Sequence, residues 1–135
     1  MIKIERVEEV PEEIFSCASS IAQSELEEGK LLLTIRMSFS SQIYVAYVDK
    51  VPLFAAGAFK FSSFDNELEV WMLGTENLSV GHLQQLRKLF HMWVKTREEK
   101  IFAQAQSRQS ARFLEFFGFK LVNFNGPVML YEVQK

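Results

Sequence analysis

The sequence predicts one mixed α/β (α+β) domain. Three observations carry this expectation. The chain has 135 residues, the size of a single domain. Hydrophobic residues make up 48% and charged residues 24%, which suits a globular chain and excludes disorder and a collagen-like repeat. The spacing of apolar residues alternates along the chain between strand-like and helix-like periods. Read in order, the elements are β-α-(α)-β-β-β-α-β-α-β-β.

Residues 1–7 alternate apolar and charged side chains, Ile2 and Ile4 against Lys3 and Glu5, and read as a strand. Pro11 opens a helix, where its missing N–H costs nothing. Glu12 and Glu13 complement the dipole of its first turn. Ile14, Cys17, Ala18 and Ile21 follow at helical spacing, and Gly29 is the expected stop. Residues 31–39 read either as a second short helix or as an extended arm. From Gln42 the pattern is strand-like, with Ile43, Tyr44, Val45, Tyr47 and Val48. Asp49-Lys50, with Pro52 behind it, marks a hairpin turn. Residues 53–61 form the next strand, with Gly57 as its expected bulge. Phe64-Asp65-Asn66 is a second turn, and residues 68–73 form a further strand.

A helix is predicted over residues 79–97. Leu83, Leu86, Leu89, Phe90, Trp93 and Val94 form its apolar stripe. Residues 101–105 are a strand. Ser107 or Ser110 caps a short helix that runs to Phe117 and ends at Gly118. Residues 120–124 and 128–133 are the last strands, parted by the turn Asn125-Gly126-Pro127.

Thirteen of the 18 aromatic residues are Phe, and most are expected in the core. Residues 113–119 hold four of them, and a helix this short is expected to leave one or two exposed as an interface patch. The single cysteine, Cys17, excludes an intramolecular disulfide and reads as a small core residue. No signal segment is expected, and apolar runs such as residues 51–59 are too short to span a bilayer as a helix. The net charge of −2 argues against a general nucleic-acid binder. Residues 1–30 carry −5 and residues 77–135 carry +5, which reads as complementary surfaces or as attraction for an anion. His82 and His91 are nine apart, which is not a metal-pair spacing, so no metal site is expected. His82, near the helix start, reads as a surface or cap histidine, with contact to a ligand as the other reading. No nucleophile elbow is present, so acyl-enzyme hydrolysis is not indicated.

The element order resembles that of the GNAT acyltransferases over almost the whole chain. The local match runs from Ser107 to Phe119, where Ser110, Arg112, Gly118 and Phe119 stand as in many GNAT proteins. The resemblance implies a largely antiparallel central sheet flanked by helices. It also implies an acyl-CoA site in a splay between the strands ending near Leu73 and Ala105. There Met72, Leu73, Gly81 and Ser107 would bind the cofactor, and Glu69 would serve as general base. Glu69 alternates with Leu68 and Val70, so the other reading of its side is a solvated strand face. Trp71 shares that side and would line either a ligand groove or the core.

Three positions depart from the family pattern. Leu114 stands where many active members have a proton-donating Tyr, and Leu has no proton to give. Ser107 replaces an Asn. The loop that would cradle pyrophosphate reads Glu76-Asn77-Leu78-Ser79-Val80-Gly81, keeping only its last glycine. The chain is also similar to the internal virion protein A family of short-tailed phages, through Val70-Trp71 and the run from Arg112 to Gly118. That resemblance implies a degenerate, non-catalytic phage protein. It would bind a virion or host protein, need no cofactor, and reside in the host cytoplasm or the virion. The alternative is an active N-acetyltransferase using acetyl-CoA through an atypical loop.

Overall fold

Strand pairing in this chain follows from where helices interrupt it. The structure, a computed structural model, describes residues 2–16, 42–60, 66–105, 107–125 and 128–133. Its elements are β1 (Lys3–Val7), α1 (Glu12–Ser16), β2 (Gln42–Val48), β3 (Val51–Phe59), β4 (Glu67–Gly74), α2 (Val80–Lys95), β5 (Lys100–Ala105), α3 (Arg108–Phe116), β6 (Phe119–Asn125) and β7 (Val128–Val133). The expectations for Cys17, Gly29, residues 31–39 and the turn residues Phe64, Asp65, Gly126 and Pro127 lie outside the described residues.

The strands form one sheet in the order β1-β2-β3-β4-β5-β7-β6. Neighbours joined by tight turns are antiparallel. Among the described strands only β4 and β5 are parallel, because α2 carries the chain back between them. The sheet is thus mixed and largely antiparallel, as expected.

The β2–β3 turn is tight. Val48 pairs with Val51, and Asp49 (φ 50°) and Lys50 (φ 67°) both adopt the left-handed conformation of a two-residue hairpin turn. The expected bulge at Gly57 is not found. Gly57 pairs regularly with Ile43 and Trp71. The irregularity lies nearer the turn, where Ala46 pairs with Phe54 but Tyr47 pairs with Pro52, leaving Leu53 as the extra residue. Gly57 has a steric role instead. A Cβ there would stand 2.3 Å from Cζ2 of Trp71, so the indole lies over the bare glycine.

Each face of the sheet carries its own core. On one face Ile14 of α1 packs with Ile43, Val45, Ala55, Phe59, Trp71 and Leu73. On the other, α2 and α3 cover Val70, Ile101, Ala103 and Tyr131 through Leu86, Val94, Ala111, Leu114 and Phe117. Phe90 of α2 meets Phe117 edge-on at 5.7 Å and stacks on Phe119 at 5.6 Å. Phe54 of β3 stacks on Phe117 at 5.9 Å. Such ring pairs add about 0.5–1.5 kcal/mol each beyond area burial. Phe117 and Phe119 are therefore buried, Phe113 and Phe116 half-buried, and the expected exposed patch is absent from this run. Large exposed apolar side chains lie elsewhere, among them Val80 and Met92 on α2 and Leu121, Val122 and Phe124 on the edge strand β6.

Two polar ties hold the helices to the strands. His91 Nε2 of α2 lies 3.0 Å from the carbonyl oxygen of Phe117, at the end of α3. Glu99, just before β5, accepts from Arg97 Nε at 3.2 Å and Nη2 at 2.7 Å, and pairs with Lys60 Nζ at 3.0 Å. The Arg97 hydrogen bonds, with help from Lys60, hold the buried Glu99 carboxyl at about 2, well below its ordinary 4.5. Among the described residues no helix is long and apolar enough to cross a membrane.

Two predictions follow from this packing. Gly57→Ala forces the indole of Trp71 or strand β3 to move and lowers stability by about 1–3 kcal/mol, measurable by urea denaturation. Because folding depresses the Glu99 pKa, its contribution is fully present above pH 4.5 and is lost as the pH falls toward 2. Glu99→Gln is therefore expected to cost about 1–3 kcal/mol at pH 7, and the gap to the parent chain closes in acid.

Candidate active site

The chemically useful feature is a seam in the sheet. Strands β4 and β5 pair at Glu67↔Lys100, Leu68↔Ile101 and Glu69↔Phe102, and the pairing stops there. Beyond that point β4 stays on β3 as far as Phe54↔Gly74. β5 stays on β7 as far as Ala105↔Met129. The C-terminal halves of the two parallel strands therefore flank a gap instead of a ladder.

Backbone alternation decides which groups face that gap. Thr75 N donates to Leu53 O of β3 at 2.9 Å, so residue 75 points its backbone away from the seam. Lys100 N donates to Asn66 O at 2.9 Å, so residue 66 points toward β5. The register of β4 on β3 is unbroken from Glu69 to Gly74, so consecutive residues alternate sides. Val70, Met72 and Gly74 thus turn their amide and carbonyl groups into the seam. Leu73 turns its backbone to β3 and buries its side chain beside Trp71. Of the two residues expected to orient a thioester through their backbone, the geometry brings Met72 to the seam and not Leu73.

Trp71, Phe113 and Phe117 are engaged elsewhere. Trp71 lies over Gly57 on the β3 side. Phe113 and Phe117 pack against Phe54. The residues of β5 beyond the last pair include the small Ala103 and Ala105.

Glu69 occupies the apex of the seam, paired with Phe59 on one side and Phe102 on the other. The solvated-face reading fails for it. Glu69 is 9% exposed, whereas its neighbour Glu67 is open to solvent. A buried carboxylate at the point where two strands part is suited to receiving a proton from a group bound in the gap.

The loop from β4 to α2 is moored by Thr75. Its hydroxyl shares its one proton between Pro52 O at 2.9 Å and Leu53 O at 3.0 Å, beside the extra residue of β3. Ser79 then caps α2, accepting from His82 N at 3.3 Å and lying 2.9 Å from His82 Nδ1. His82 is thus a cap histidine, as expected. The amides of Val80 and Gly81 open the helix and have no acceptor within it. A Cβ on Gly81 would meet only Ser79 Oγ, at 3.9 Å, so the protein itself does not require this glycine. Its bareness leaves the helix start open to close approach. Glu76, exposed on the same loop, opposes an anion there.

The remaining candidates are committed to structure. Ser107 caps α3, accepting from Ser110 N at 3.1 Å and donating to Ser110 Oγ at 3.0 Å. Leu114 is buried in the core beneath α3. A phenol does reach α3, where Tyr131 Oη donates to Glu115 Oε1 at 3.4 Å. It comes from β7, beyond β5 from the seam, and burial together with Glu115 pushes its pKa up. Among the described residues no group of three His, Cys, Asp or Glu side chains is placed to hold a metal ion. Sequence reasoning missed Thr75. A small hydroxyl residue just after a strand gives no cue until its partners in β3 are known.

The sequence matches no protein-family model and no curated protein. Solved structures do match. An acetyltransferase of Bacillus subtilis in complex with CoA superposes with a TM-score of 0.68 at 12% identity, covering 100% of this chain and 99% of that one. A GNAT family acetyltransferase of Elizabethkingia anophelis with acetyl-CoA bound gives 0.67 at 13% identity, covering 99% and 98%. The Campylobacter jejuni N-acetyltransferase PseH in complex with acetyl coenzyme A gives 0.64 at 10% identity, covering 100% and 99%. At these TM-scores and near-complete coverages, the chain has the fold of the GNAT acetyltransferases.

Proposed function

We propose that the protein is an acyl-CoA-dependent N-acyltransferase with acetyl-CoA as donor. The observation that carries this reading is the seam, with the backbone groups of Val70, Met72 and Gly74 turned into it beside a buried Glu69. The three solved relatives above, all acetyltransferases, hold CoA or acetyl-CoA.

The residues present fit this donor. The backbone of Met72 and its seam neighbours would pair with the amide-bearing arm as an added strand does. The amides of Val80 and Gly81, with the α2 dipole, would take the pyrophosphate, and the open space at Gly81 suits that approach. When bound, acetyl-CoA supplies a thioester carbonyl that an amine attacks, breaking the C–S bond and releasing the thiolate. Glu69, directly or through water, would take the proton that the amine loses. Leu114 cannot protonate the thiolate, so that proton would come from solvent. Ser107 has no role in this reading, since its hydroxyl is held by the α3 cap.

A second reading, a catalytically silent protein that works by contact with a protein partner, draws on Glu76, Ser79 and the buried Leu114. The phage part of that expectation gains no support from the relatives, which are acetyltransferases.

Calorimetry and thermal shift decide between the two. Acetyl-CoA at ten- to hundredfold its Kd is expected to add about 1.4–2.7 kcal/mol, a shift of several degrees. No heat and no shift at millimolar acetyl-CoA would sink the proposal. For an amine acceptor found by screening, Glu69→Gln is expected to lower kcat by about 10²-fold or more while leaving the acetyl-CoA shift intact. An unchanged rate removes Glu69 from the reaction.

A further inference from the structure

The apolar stripe of α2 is incompletely buried. Of its six members only Leu86 and Val94 are buried, and Leu89 is 41% exposed. The cause lies on the strands below, where β2 and β3 present the side chains of Ala46, Ala56 and Ala58. Three alanines cannot fill the space beneath a helix carrying Leu86, Leu89, Phe90 and Trp93. A pocket of about 360 Å³ results, roofed by α2 and bounded on the β4 side by Val70 and Met72. Among the described residues its lining is apolar apart from Gln42 and Tyr44 of β2 and the indole N–H of Trp93.

We propose that this pocket binds one small, largely apolar molecule that carries a single hydrogen-bonding group at Gln42 and Tyr44. The volume sets the size. An apolar cavity of about 150 Å³ holds benzene, so this one takes roughly ten to fifteen non-hydrogen atoms. The lining sets the chemistry. A peptide segment would bring several backbone N–H and C=O groups into a hollow whose described lining offers side-chain partners only at Gln42, Tyr44 and Trp93, and burying such groups unpaired is costly. A charged ligand would meet no charged residue among the described residues lining the pocket. The proposal does not depend on acyl transfer, because the pocket lies under α2 and meets the seam strand only through Val70 and Met72, whose backbone groups turn toward β5.

The test uses the full chain, with octan-1-ol and 2-naphthol as probes. Methyl NMR is expected to show saturable shifts of Ala46, Ala56, Ala58 and Met72 at one equivalent bound, together with a raised Tm. Ala56→Leu fills the pocket and is expected to weaken both probes by roughly tenfold or more. The acetyl-CoA response of that variant stays as in the parent chain. If Ala56→Leu does not fold, Ala46→Val serves the same purpose with a smaller addition of volume. Three results would overturn the proposal: no saturable shift at millimolar probe, binding that the filled variant keeps, or probe-free shifts of the same methyls that grow with protein concentration. The last would mean that a second copy of the chain covers the pocket.

Discussion

The structure depends on a competition that β4 and β5 each lose to their other neighbour. Each has a partner on its outer side that holds it to its end: β3 for β4, β7 for β5. Between them only three residue pairs form. Strands twist relative to one another, so two that are each bound outward separate once their shared ladder ends. The parting exposes backbone groups in mid-sheet, where main-chain polarity is normally consumed. It also puts Glu69 at the apex and the start of α2 near the open end. The functional reading follows from this one interruption in hydrogen bonding.

Much of the fold was legible in the sequence, because the strands and long helices announce themselves by period. Ser79 and Ser107 were readable as caps, since a serine before a helical stripe satisfies otherwise unbonded amides. The bulge was misplaced at Gly57 because glycine in a strand has two meanings, an irregular backbone or a close neighbour. Only the pairing with Trp71 decides between them. The burial of Glu69 was likewise hidden. Alternation assigns it a side, but how that side is covered depends on elements distant in sequence.

The candidate site was harder to read than the fold. Met72 and Leu73 are equivalent in sequence, and the hydrogen bond of Thr75 to Leu53 separates them by fixing the phase of the whole strand. The Phe run was read as partly exposed by counting the faces of a short helix. Its partners, Phe54 on β3 and Phe90 on α2, come from segments well before it and close over Phe117 and Phe119. Aromatic composition indicated a large core correctly, but it could not say which rings meet.

The extra residue at Leu53 also bears on how the sheet avoids slipping. β3 carries two alternations, out of phase with each other on either side of that residue, and a fixed two-residue turn beyond it. If β3 slid by one position, Phe54, Ala56 and Ala58 would exchange faces with Ala55, Gly57 and Phe59. The indole of Trp71 would then lie over Ala56 or Ala58 and meet a methyl group where it now meets none. The glycine beneath the tryptophan thus acts as a proofreading contact, since among neighbouring registers of β3 on β4 only the native one seats the ring.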